Sequence, residues 1–266
     1  MRKPIAMGFY PHDSLQLEAE VKRYLVAEKK INALGAILPH AGYAFSGPVA
    51  GATLGSVKTD NRVFTIFAPN HTGYGSEIAI SRDDWETSLG VIKTNRELIA
   101  KLSGKISVDE SAHKYEHSLE VQLPFLQVLY KDFTIVPICL GHISFEELEE
   151  IVNAFDNKSF YIASSDFIHF GPVYGYEPVN GVKEGLEWVK KADNELIDLI
   201  CKLKAEEFYN SVFENNYTVC GFVPIALLLL IMKKIGAKKG NLISYKTSYD
   251  VHPNSSFVSY AGIVFE

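Results

Sequence analysis

Four short apolar, β-rich runs, Leu34 to Leu38, Val63 to Ala68, Phe133 to Ile138 and Phe160 to Ala163, each end at Pro, Asn, Gly or Ser. Between and around them lie segments of helical pattern: Ser14 to Glu28 with Ser14 as N-cap, Asn95 to Leu102, His117 to Tyr130 and Phe145 to Phe155. The second half adds helices over Lys183 to Lys202, Ala205 to Phe213 and Phe222 to Lys234, then strands over Asn241 to Thr247 and Ser256 to Phe265. Strands that are apolar throughout need cover on both faces. The pattern therefore predicts an α/β fold with a central, largely parallel mixed sheet and helices on both sides. In such sheets ligands collect beyond the carboxyl ends of the strands. No repeat, low-complexity tract or Ser/Gly/Pro linker interrupts the chain, so a single domain over residues 1–266 is expected.

Composition narrows the partners. With 47% hydrophobic and 22% charged residues over 266 positions, the chain can bury a sizeable core. Its 26 Lys and Arg against 32 Asp and Glu give a formal charge of −6, which offers no broad attraction to nucleic acid or to an anionic membrane. The longest apolar run, Phe222 to Met232, is broken by Pro224 and is far short of the roughly 20 residues that span a bilayer. Met1 to Tyr10 lacks an apolar stretch of signal-peptide length, and a cytoplasmic location is expected. Three cysteines, Cys139, Cys201 and Cys220, are an odd and scattered set, which favours reduced thiols over a disulfide framework. Gly-x-Gly-x-x-Gly, Walker A, His-Glu-x-x-His and Gly-x-Ser-x-Gly are all absent, so no nucleotide cofactor is expected, and zincin or serine-hydrolase chemistry lacks its usual signal.

Three predicted strands run into polar clusters: Pro39-His40-Ala41-Gly42-Tyr43, Pro69-Asn70-His71-Thr72-Gly73 and Ser164 to Gly171, which holds Asp166 and His169. A histidine just past a strand end stands on the rim where parallel sheets place their sites, and neutral imidazole is the commonest transition-metal ligand. Any one of these histidines alone reads equally as a loop residue bonded to backbone. Their recurrence in one context is what favours a shared site. In Glu116-His117-Ser118-Leu119-Glu120, His117 and Glu120 would share a helix face, as a metal pair, as a base with its orienting carboxylate, or as ordinary polarity at a helix start. Cys220 stands at the expected start of the apolar helix, where a thiolate is favoured, although a free cysteine is also a common small core residue.

Taken in order, Phe9-Tyr10-Pro11, Pro39 to Tyr43 with Ser46-Gly47-Pro48, Pro69-Asn70-His71, Glu116 to Pro124, Ser164 to Gly171 and Cys220-Gly221 resemble the Memo family nearly end to end. The resemblance implies a fold like that of the class III non-haem-iron extradiol dioxygenases. Those enzymes bind iron with two histidines and a carboxylate. Memo proteins imply two histidines and a cysteine, which transfer here to His40, His71 and Cys220. Asp166 and His169 match further pocket residues, and His117 with Glu120 matches the remaining polar pair. One departure is Ala6-Met7-Gly8-Phe9-Tyr10, where many relatives carry Ala-Gly before the aromatic pair.

A soft thiolate in place of a hard carboxylate shifts preference toward copper, zinc or thiolate-bound iron, so dioxygenase activity does not transfer with the fold. Iron or copper is the expected metal, with zinc the alternative. His169, outside the ligand set, is then the natural acid or base, with Asp166 available to set its tautomer. The expectation is a metal-dependent redox enzyme acting on a small molecule or a modified protein group. Alternatives are a metallohydrolase, a non-catalytic peptide- or metabolite-binding protein using the same pocket, as animal Memo is linked to phosphotyrosine-peptide binding, and a protein that carries the metal as cargo.

Overall fold

The computed structural model describes residues 1–266. Its helices are Ser14–Tyr24 (α1), Tyr43–Ser56 (α2), Arg96–Leu102 (α3), Leu123–Leu129 (α4), Phe145–Ile151 (α5), Val182–Cys201 (α6), Ala205–Glu214 (α7) and Phe222–Ile235 (α8). Four strands form the middle of an eleven-stranded sheet, side by side in the order Gly35–Leu38, Phe160–Ser164, Val63–Pro69 and Thr134–Leu140. All four run parallel, with Leu38 opposite Ser164 and Pro69 opposite Leu140. Antiparallel strands flank them: Phe257–Phe265 pairs with Gly35–Leu38, and Ile78–Ile80 with Thr134–Leu140. This is the mixed sheet expected from the apolar runs.

The period of two along each central strand divides the core. Ile37, Phe67, Val136, Ile138, Tyr161 and Ala163 point to the face covered by α3 and α5 to α8, and Ala36, Leu38, Phe64, Ile66, Ile135 and Ile162 to the face covered by α1, α2 and α4. Because both sets are apolar, the sheet must be covered twice. α8 lies at the centre of the first layer and is apolar nearly all round, as a helix packed on several sides must be. No helix is long and apolar enough to cross a membrane.

Several boundaries differ from the sequence expectation. Asp13 rather than Ser14 caps α1, its side chain accepting from Gln16 N at 2.9 Å. The helix expected from His117 starts later, with a 3-10 turn over Glu120–Gln122 and then α4. Pro124 cannot donate a backbone hydrogen bond and fits only the first turn, so the helix begins just before it and His117 stays in a loop. The stretch that becomes α2 carries Gly47, Gly51, Gly55 and Pro48 and has almost no amphipathic pattern, and no helix is predicted there. Contact with α1 explains it: a Cβ on Gly51 would lie 2.4 Å from the Tyr24 Cβ, so glycine lets the two helices touch.

One core feature carries a pH dependence. Asp193 on α6 is fully buried; the Tyr245 hydroxyl donates to Oδ2 at 2.6 Å and Oδ1 has no partner. Burial pushes its carboxyl up to about 7. The folded state thus holds the proton over a range in which the unfolded chain has lost it, and stability falls as pH rises from about 4 to about 7. Asp193→Asn should remove that loss and raise stability by roughly 4 kcal/mol at pH 8 with little gain at pH 4, measured by urea unfolding at the two pH values.

Candidate metal and ligand site

The carboxyl ends of the parallel strands converge on one cavity of about 470 Å³, whose wall includes His40, His71, His117, Asp166 and His169. His40 follows the Gly35–Leu38 strand and is buried. Its backbone N–H donates to Asp166 Oδ1 at 2.7 Å, and Nδ1 lies 3.0 Å from Ser164 Oγ. Ser164 spends its own proton on the Ser118 carbonyl at 2.7 Å. Its oxygen can therefore only accept from His40, which puts the proton on Nδ1 and leaves Nε2 as a lone pair. That Nε2 faces Cys220 Sγ at 3.2 Å.

His71 follows the Val63–Pro69 strand in a turn built by Asn70, whose Oδ1 accepts from Thr72 N, Thr72 Oγ1 and Gly73 N. Its Nδ1 donates to Glu116 Oε1 at 2.9 Å and its backbone N–H to Glu116 Oε2 at 2.7 Å. Glu116 also accepts from Ser118 N and Ser118 Oγ. Burial works to raise the Glu116 carboxyl, but the bonds and charge from His71 and the Ser118 donors outweigh it and hold the group at about 2. Burial pulls the other way on His71, whose pKa is nonetheless raised by Glu116. His40 is lowered well below the usual imidazole value by burial and by the neighbouring imidazoles.

Cys220 enters from the other side of the sequence, one residue before the N-cap of α8. A Cβ on Gly221 would stand 2.5 Å from the Ser164 carbonyl oxygen, so glycine there lets the start of α8 lie directly against the strand that ends at Ser164. Gly221 N donates to Ser165 Oγ at 3.0 Å. The expected helix-end lowering of the Cys220 thiol is not what prevails: burial, then the Asp166 carboxylate, push it up. Metal binding would have to release that proton.

His40, His71 and Cys220 thus each offer a ligand atom within 4.8 Å of the others. Two imidazole nitrogens and one sulfur that close together can reach one ion at the usual distances of about 2.0 and 2.3 Å with small side-chain shifts. The donor set fits a soft or borderline transition metal. His71, Glu116 and His117 form a second close group. There Glu116 Oε1 already accepts from His71 and from two Ser118 donors, so its role is to hold His71 in place. Glu116→Gln should lower metal affinity roughly 10- to 100-fold, the usual effect of losing a carboxylate behind a ligating histidine, as titration with a metal-competing chelator would show.

Of the other predicted residues, Asp166 and His169 line the cavity together with His40 and His71. His169 Nδ1 lies 2.9 Å from both the Phe167 and the Thr218 carbonyl oxygens, so it carries the proton and Nε2 is the free acceptor. Those carbonyls, rather than Asp166, set its tautomer. Asp166 instead accepts from the backbone N–H groups of His40 and Ala41 through Oδ1. His117 also lines the cavity, with its ring 4.4 Å from Phe9 and 5.2 Å from His71.

Glu120 stands apart. It is fully buried and accepts from Arg2 Nη1 at 2.6 Å, from Ile5 N and Ala6 N, and from the Tyr10 hydroxyl. The i, i+3 spacing linked it to His117, but that spacing has meaning only on a helix, and His117 is outside it. Ser164, Glu116 and Thr218, which fix the three imidazoles, were not singled out. Each sits in or beside a quoted cluster, but its role is a contact across the sheet or between loops that spacing does not encode.

The chain matches the family model described as Memo-like protein over residues 2–264. The chain belongs to the Memo family. Among its relatives, a MEMO1 family protein of Methanosarcina barkeri is 41% identical over all of both chains. One from Archaeoglobus fulgidus is 39% identical over 100% of this chain and 99% of its own, and one from Pyrococcus abyssi 37% identical over 99% of each. Within this Memo fold the resemblance read from six scattered motifs therefore holds along the whole chain.

Proposed function

We propose that this Memo protein holds a redox-active metal, iron or copper, on His40, His71 and Cys220, and acts as a metal-dependent redox enzyme on a small organic molecule or a modified protein group. The observation that supports this most is the approach of His40 Nε2 to Cys220 Sγ at 3.2 Å, with His71 in reach, beside a cavity that both histidines line. A bound metal there would supply Lewis acidity and one-electron chemistry next to the ligand space.

The protein's own residues have separate tasks. Ser164 and Glu116 hold the two imidazoles with their Nδ1 protons turned away, so that both Nε2 lone pairs are available without rearrangement. His169 Nε2 accepts a proton from a ligand, and the imidazolium formed is stabilised by the two carbonyls on Nδ1 and by nearby Asp166. Phe9 and the His117 ring pack against each other on one wall of the cavity. The protein works in the cytoplasm on this reading.

Elemental analysis of protein purified without oxygen or chelators should give about one iron or copper per chain, and substrate turnover should follow its oxidation state. Stoichiometric zinc without redox turnover would replace this reading with metal-activated hydrolysis. Absence of all three metals would end the metal reading.

A further inference from the structure

Four tyrosines are buried: Tyr10, Tyr43, Tyr161 and Tyr260. The first three spend their hydroxyl protons inside the protein, on Glu120 Oε1, the Val121 carbonyl and the Asp156 carbonyl. Tyr260 is the exception. The residue is 2% exposed, yet its phenol donates to no protein acceptor, which is unusual for a buried hydroxyl. Nor is that group sealed in the core. The buried side-chain nitrogens and oxygens left without a partner are Gln122 Oε1, Asp193 Oδ1 and Asn241 Nδ2, whereas Tyr260 lines the cavity that His40, His71, Asp166 and His169 also line. Its hydroxyl therefore opens to the ligand space. The ring is held there by packing: it stands on the Phe257–Phe265 strand with Val49 and Val258 around it and Ala41 and Phe45 against them. Ser248 stands beside the phenol oxygen, and its own Oγ accepts from Val258 N at 3.0 Å. Burial and the Asp166 charge raise the phenol pKa, so Tyr260 keeps its proton at neutral pH.

We infer that Tyr260 contacts the ligand and anchors an acceptor oxygen on it, of the carbonyl or phenolate class, by donating its phenol proton in a hydrogen bond. A donor already fixed by packing needs no reorganisation when the oxygen arrives, and it stabilises negative charge that builds there. His169 Nε2, with Nδ1 held by two carbonyls, offers an acceptor to the same cavity. A ligand with an oxygen to anchor and a proton to give thus finds a partner for each. A metal on the triad attracts the same electron-rich oxygen, so the preference has the same sign with the metal bound or removed. The inference rests on the cavity as the ligand site, as proposed above.

Acetophenone and ethylbenzene test it, because both are neutral and similar in shape and only the first carries an acceptor oxygen. They are titrated by ligand-observed NMR into the full chain as purified and into Tyr260→Phe, with metal content measured on each sample. Phenylalanine keeps the packed ring and removes the hydroxyl alone. Acetophenone should bind the variant about fivefold more weakly, the effect of one neutral hydrogen bond, while ethylbenzene binds as before. A merely structural role would move both probes alike. Infrared difference spectra should place the carbonyl stretch of bound acetophenone at lower frequency in the unaltered chain than in the variant. Both differences should recur in the Cys220→Ser background, which lacks the proposed sulfur ligand. If the Tyr260 variant does not fold, the unaltered chain decides: a bound carbonyl stretch no lower than in an aprotic solvent overturns the proposal. Equal changes in the two affinities, or no binding of acetophenone, also overturn it. Missing metal beside an intact Tyr260 effect would end the metal reading alone.

Discussion

Single replacement of His40, His71 or Cys220 by alanine, alanine and serine respectively should lower metal affinity by more than about a hundredfold, because even the group behind a ligating histidine is worth roughly 10- to 100-fold. The fold should persist, since His40 and His71 line a cavity, Cys220 is in contact with His40 beside it, and the hydrogen bonds that define the strand ends run through backbone groups and through Ser164, Ser118 and Glu116. The internal controls are the other two cysteines. Cys139 lies in the Thr134–Leu140 strand with Sγ 3.4 Å from His113 Nδ1, and Cys201 is at the end of α6. Neither belongs to the close group around His40 and His71. Cys139→Ser and Cys201→Ser should therefore retain metal uptake. Equal losses from all three cysteines, read by competition with a chromophoric chelator, would refute the ligand set.

Glu120→Ala should cost about 3 to 5 kcal/mol of stability, the usual result of leaving one member of a buried ion pair without its partner. The pair with Arg2 is 2.6 Å long and both side chains are almost entirely shielded from water. Arg2 has few alternatives: it also donates to the His113 and Glu116 carbonyls and lies 3.9 Å over the Trp85 ring. Loss of Glu120 also frees Ile5 N, Ala6 N and the Tyr10 hydroxyl, the anchors of the N-terminal segment that carries Phe9 to the cavity wall. Urea unfolding measures the change. A stability within 1 kcal/mol of the parent would show that the pair is dispensable and would return Glu120 to the list of chemical candidates.

The site was partly visible in the chain because parallel sheets present their ligands' partners at one place in the sequence pattern, the residue or two after each strand. His40, His71 and Asp166 all occupy that position. Cys220 does not, and its local sequence leaves it open between a thiolate at a helix start and a small core residue; the family resemblance selects it as a ligand and the close approach to His40 is what supports it. Glu120 shows the opposite failure. It lies in the same motif as His117, but a three-residue interval places two side chains together only if the backbone between them is helical, and Pro124 delays the helix past that point.

Helix α2 was invisible for a related reason. Glycine and proline lower helix propensity, and the residues that hold α2 helical are on α1, where Tyr24 fills the groove that Gly47 and Gly51 leave open. The tautomers of His40, His71 and His169 likewise depend on Ser164, Glu116 and two carbonyls that are adjacent only in space.

From the chain alone came the layered α/β architecture, the family and the rim on which histidines gather, because apolar periodicity and strand-end chemistry are local and repeat along the backbone. Only the folded molecule decided that Cys220 meets His40, that Glu116 rather than Glu120 holds His71, and that two carbonyls rather than Asp166 fix the proton of His169. Those outcomes are set by distances between residues far apart in sequence, and a linear order carries no distances.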